Sequence, residues 1–176
     1  MNNKKSQVWV ETVIYTLIGL VIISIILSIA LPQIDKSRDK NILYQTVLAF
    51  KDIDLKIRQI EQAPGNLGII EFRIAKGIFL INSTEDSLIY LLEDTSLKYG
   101  EIDYPINEGG VEIVTKKKGN KFNIIVKKNY SSSFDITFEN SEKIKVLQKG
   151  AIPYKIQIEN LGKNPSDEKI HIDFRI

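Results

Sequence analysis

Residues 11–32 read ETVIYTLIGLVIISIILSIALP, and this stretch decides the architecture. From Thr12 to Leu31 no residue carries a charge, and Ile, Leu and Val dominate. At 1.5 Å per residue a helix of about 20 residues spans roughly 30 Å, the hydrocarbon thickness of a bilayer. The competing reading is a buried core helix, but a helix of a soluble domain ordinarily keeps a polar face. The stretch is therefore expected to cross a membrane.

Its flanks carry the next clues. Lys4 and Lys5 lie just before the run, which by the positive-inside rule leaves the N-terminus cytoplasmic and places everything after Pro32 outside. Trp9 fits an interfacial anchor. Glu11 sits at the cytoplasmic edge of the apolar run. It is either a tolerated edge residue that reaches the headgroups or a carboxylate with an assigned partner. A cut between Ser6 and Gln7 would create that partner. The new α-amino group would lie four residues before Glu11, one helical turn away, and in a bundle it could meet Glu11 of a neighbouring subunit.

The order Lys4-Lys5-Ser6, then Gln7-Val8-Trp9-Val10-Glu11, then an apolar helix, resembles the N-terminus of archaeal type IV pilins and archaellins, with its class III signal peptide. The resemblance covers about the first 34 residues. It departs from the commoner pattern at Ser6, where Gly is usual, and at Trp9, where a small residue is usual. It implies a leader over residues 1–6 and a prepilin-type peptidase cutting between Ser6 and Gln7. The helix would stay on the mature protein as a filament core, with Glu11 as the assembly charge. The implied fold is α+β: a type IV pilin-like ladle with a long N-terminal hydrophobic helix and an antiparallel, β-sandwich-like domain.

Two other fates remain open. Ser28-Ile29-Ala30 resembles the small-x-small site of a secretory signal, although the apolar run exceeds the usual h-region. Without any cleavage the chain is a single-pass anchor displaying a β-sandwich binding module. Gly19, Ser24 and Ser28 are small, and Ser24 and Ser28 share a helix face. They are either a helix-packing surface or the ordinary small residues of membrane helices. Pro32 is expected to end or kink the helix.

Beyond Pro32 the apolar residues Leu43, Val47, Phe50, Ile53, Ile57 and Ile60 recur every three to four positions, an amphipathic helix period. Asp35–Lys40 carries charge without an apolar stripe and is expected to be solvated helix surface. Gln62-Ala63-Pro64-Gly65-Asn66 is a strong stop. The organisation expected is thus a helix over 7–62, transmembrane over 12–31 and amphipathic over 33–62, then an extracellular β-domain over 66–176.

In that domain 69–74 and 78–82 are expected to form a hairpin around Ala75-Lys76-Gly77. Residues 111–128 form a clearer one, turning at Gly119-Asn120. Four further alternating runs, 134–140, 143–148, 154–160 and 169–176, complete a sandwich or rolled sheet.

Composition limits the chemistry. The 176 residues hold no Cys and one His, His171, so the usual zinc ligands are missing. The net charge of +2 does not argue for a nucleic-acid partner. Lys116, Lys117, Lys118, Lys121, Lys127 and Lys128 cluster on one hairpin, either as a contact for an acidic partner or as solvated lysines that block edge pairing. Asn82-Ser83-Thr84 and Asn129-Tyr130-Ser131 match the N-glycosylation pattern. Asp52/Asp54 and Glu101/Asp103 read as surface charge, Ser131–Ser133 as a turn, and His171 as an outward strand residue. No nucleophile, base and orienting group assemble, so neither an enzyme nor a cofactor is expected. The expected role is a structural subunit, a major or minor pilin of a cell-surface filament. Its partners would be the membrane, the peptidase and copies of itself or related pilins.

Overall fold

The computed structural model describes the backbone of residues 3–163 and 168–176, and the side chains of residues 8–163 and 168–176. Helix α1 runs from Asn3 to Ile60 without interruption. Pro32 lies inside it rather than at its end. A proline there lacks the N–H that would bond to the carbonyl four residues back, a defect that membrane helices tolerate. The chain divides into two compact units, Met1–Arg38 and Asp39–Ile176, so the second unit takes the outer part of the helix with it.

Among the described residues ten strands follow: β1 (Leu67–Phe72), β2 (Ile78–Asn82), β3 (Ser87–Thr95), β4 (Ile106–Glu108), β5 (Val111–Lys118), β6 (Lys121–Asn129), β7 (Phe134–Phe138), β8 (Ile144–Gln148), β9 (Tyr154–Lys163) and β10 (Ile170–Arg175). They form a four-stranded sheet, β1-β9-β10-β7, and a six-stranded sheet, β4-β5-β6-β3-β2-β8. The fold is α+β: one long apolar N-terminal helix, then two largely antiparallel sheets.

The alternation expected in the last strands is what packs: Ile136 and Phe138 on β7, Ile156 and Ile158 on β9, and Ile172 and Phe174 on β10 are all buried, as are Leu88, Tyr90 and Leu92 on β3 and Ile124 and Val126 on β6. They join the helix stripe Leu43, Val47, Phe50, Ile53, Ile57 and Ile60 in one core. Phe50 meets Phe79 edge-on at 5.6 Å, and Phe79 meets Phe72 at 5.0 Å.

The hairpin over 111–128 forms as expected, with Lys118 opposite Lys121 across the turn. The hairpin expected from 69–74 and 78–82 does not form. β1 pairs with β9, whereas β2 pairs with β3 and β8. Residues 73–77 instead carry the chain from one sheet to the other. Gly77 makes that crossing at φ +78°, and a Cβ there would stand 2.4 Å from the Leu91 carbonyl oxygen. The sheets also depart from a wholly antiparallel plan, because β10 inserts between β9 and β7 and lies parallel to β7.

The helix ends in a long-range cap. Asn160 on β9 is 1% exposed, and its Nδ2 donates to the carbonyls of Ile60 (2.9 Å) and Ala63 (3.1 Å). The last turn of any helix leaves carbonyls without intrahelical donors, and here a strand a hundred residues away supplies one.

Candidate functional site

In the first unit the large apolar side chains from Val8 to Leu31 are all exposed, at 38–72% of their full surface. The helix holds one segment long and apolar enough to cross a membrane, and none of that segment is buried within the chain. A contiguous exposed apolar surface of this size marks a membrane or protein-interaction surface.

The hydroxyls of its threonines and serines are already satisfied within the helix. The hydroxyls of Thr12, Thr16 and Ser24 donate to the carbonyls of Val8, Thr12 and Leu20 at 2.8–2.9 Å. Ser28 donates to Ile25 at 2.7 Å. In a medium without water each hydroxyl needs such a partner, and bonding back along the helix supplies it. Ser24 and Ser28 therefore present small, internally bonded surfaces, and at Gly19 a Cβ would meet nothing.

Glu11 is the exception. It is exposed and makes no ion pair or hydrogen bond with another described residue. Trp9, two residues earlier, is 70% exposed. The side chains of Ser6 and Gln7 lie outside the described residues, and their backbone belongs to α1.

The second unit begins at a residue that composition alone misplaces. Asp39 lies in the charged stretch expected to be solvated, yet it is 4% exposed. Lys76 Nζ donates to both of its carboxylate oxygens at 2.7 Å, and the Thr95 hydroxyl donates to Oδ2. The signal was present: Asp39 stands four residues before Leu43 and continues its stripe. Beside it, the Tyr90 hydroxyl donates to the Lys76 carbonyl. Burial pushes the Tyr90 phenol up to about 12. Further along the helix Asp54 pairs with Arg58 at 3.1 Å and Lys128 at 3.7 Å. Tyr130, near this group, is pushed well above the ordinary tyrosine value, first by burial and then by the Asp54 charge.

The remaining sequence candidates are scattered. Asn82 is 7% exposed and accepts a hydrogen bond from Thr84, whereas Asn129 is exposed and accepts one from the Ser131 amide. Of the two sequons only Asn129 presents its amide to a modifying enzyme. Lys127 and Lys128 are engaged by Glu85 and Asp54, while Lys116, Lys117 and Lys121 are exposed and make no ion pair with a described residue. Asp52 borders a cleft of about 240 Å³ between the helix and residues 71–75, shared with Glu71 and Arg73.

His171 does lie on the outward side of β10, but that side is partly covered. Its Nε2 sits 2.9 Å from the Thr137 hydroxyl, which donates to Asp173 at 2.7 Å. Asp173 is fully buried and also receives the Asn140 amide and Arg175 Nε. Alternation alone would put Asp173 on the outward side with His171. The parallel neighbour β7, which brings Thr137 beside it, was not readable from the local pattern.

No protein-family model matches the chain, and neither a curated protein nor a solved structure does.

Proposed function

We propose that this protein is a pilin-like structural subunit of an archaeal type IV pilus-like filament, held in the membrane by its helix until it is processed and assembled. The observation that carries the reading is an apolar helix segment that nothing in the chain buries, with one carboxylate, Glu11, at its edge that has no partner among the described residues. Cleavage after Ser6 would free the amine of Gln7, and packing of neighbouring helices would bring that amine to Glu11 of another subunit. Removing one member of such a buried pair leaves an uncompensated charge, a loss of about 3 to 5 kcal/mol per contact.

The test begins with the N-terminus and intact mass of the protein taken from its native membrane. A chain beginning at Gln7, or at its cyclised form, supports pilin-type processing. Glu11→Ala should then abolish filaments while membrane insertion persists. A chain beginning at Met1 sinks this reading and favours the alternative, a single-pass anchor displaying the β unit. That alternative draws on the same helix but leaves Glu11 without a role. A chain beginning at Leu31 would mean a released domain.

A further inference from the structure

One end of the second unit gathers the features that a lipid surface attracts. The end is defined by Asp39, the first residue of this unit, which is held by Lys76 and Thr95. Thr95 closes β3 and lies opposite Phe122 on β6. Phe122 lies opposite Lys117, and Lys118 opposite Lys121. The tip of the β5–β6 hairpin is therefore at the Asp39 end, where the chain leads back into the apolar segment. Ile60 and its Asn160 cap mark the opposite end.

The tip, Lys116-Lys117-Lys118-Gly119-Asn120-Lys121, holds four lysines and no acid, and all six residues are exposed. Lys118 makes the only tip ion pair among the described residues, a 3.2 Å contact with exposed Asp94. The turn between β8 and β9 lies at the same end, because Gln148 is opposite Ile78 and the Gly150 amide donates to the Ile74 carbonyl. That turn presents Ile152, which at 81% is the most exposed large apolar side chain described. From β6 to β8 is three strand steps, about 14 Å at 4.8 Å each. The basic tip and the turn that presents Ile152 thus lie at the same end of the unit.

We propose that this end of the β unit is a lipid-contacting surface, in which Lys116, Lys117, Lys118 and Lys121 take anionic headgroups and Ile152 enters the interface beside them. The proposal rests on the membrane-crossing reading of residues 12–31 and not on filament assembly. Only seven residues, 32–38, lie between Leu31 and Asp39 in the sequence. Tethering by the helix makes the contact intramolecular, so weak individual attractions suffice. Each lysine near an anionic surface shifts the bound-to-unbound ratio about fivefold, and salt screens the effect within a Debye length.

The test uses the full chain reconstituted in lipid nanodiscs. The chain contains no cysteine, so single labels can be placed by Asn120→Cys at the tip, Gln62→Cys at the far end and Ser24→Cys in the apolar segment. A spin label at each reports access to water-soluble and lipid-soluble relaxation agents. In discs with anionic phosphatidylglycerol, the Asn120 label should lose access to the water-soluble agent relative to purely phosphatidylcholine discs, and the Gln62 label should not. High salt, or Lys→Gln at all four tip positions, should restore access. These lysines are exposed, so the β circular dichroism should be unchanged. Equal access at Asn120 in both discs, or protection that survives the four substitutions, overturns the proposal. So does tip protection by heparin in phosphatidylcholine discs that matches protection by anionic lipid, which would mark a site for soluble polyanions. A lipid-embedded Ser24 label with a water-exposed tip removes this proposal alone. A water-exposed Ser24 label removes the membrane reading and the proposal with it.

Discussion

Asn160 shows how much one side chain can hold. Its amide donates to two carbonyls at the end of α1, and its Oδ1 accepts from the Gly162 amide at 2.8 Å. Asn160→Ala leaves the buried Ile60 carbonyl and two partly buried groups short of a partner, and should cost about 1 to 3 kcal/mol. Denaturant unfolding of the detergent-solubilised chain, followed by β circular dichroism, measures it. Tyr90 makes a pH-dependent case. Its phenol titrates near 12 in the folded chain, against about 10 unfolded. The folded state therefore keeps a proton that the unfolded state gives up above pH 10, and stability falls as pH rises from about 10 to 12. Tyr90→Phe removes that dependence along with the bond to the Lys76 carbonyl. The variant should be less stable at pH 9, and the gap should close by about 2 kcal/mol by pH 12. A gap that stays constant over this range would mean that the phenol is not held neutral by burial.

At the scale of elements, the outer half of α1 is held by its stripe. Phe50 is 1% exposed and packs on Phe79. Phe50→Ala should cost about 3 to 5 kcal/mol in the unfolding of the second unit. Insertion of the apolar segment should be unaffected, because that segment belongs to the other unit. The crossing at residues 73–77 depends on backbone conformation instead. Gly77→Ala demands a positive φ of an L side chain and drives its Cβ into the Leu91 carbonyl, so a loss of at least about 1 to 3 kcal/mol is expected. Wild-type stability in this variant would mean that the 73–77 crossing is not held as described. Strand existence was legible from alternation in β7, β9 and β10, and the β5–β6 hairpin from Gly119-Asn120. The partner of β1 was not, because a local pattern marks a face and says nothing of which distant strand lies alongside.

For the whole molecule, the division at Arg38/Asp39 separates two kinds of stability. The second unit buries its apolar residues in a core of its own, while the first buries none among its described residues and depends on its surroundings. A charge placed in the first should therefore disturb only the first. Ser24→Arg, near the middle of the apolar run, should cost about 2.5 to 3.5 kcal/mol of membrane insertion. The membrane-partitioned fraction should fall in a translocation assay, and the denaturation midpoint of the β unit should not move. A joint loss of both would show the units to be energetically coupled.

The sequence by itself determined the apolar segment, the position of Glu11 at its edge, the amphipathic period of 43–60 and most of the strands. These follow from hydropathy and from periods of 3.6 and 2, which are properties of neighbouring residues. Only the tertiary structure decided that Asp39 is buried on Lys76, that Asn160 caps the helix, that Asp173 is enclosed and that β10 runs parallel to β7. Each of these depends on groups 33 to 100 positions apart. Whether a polar side chain is solvated or buried is settled by the partner brought to it, and a local pattern carries no record of that partner.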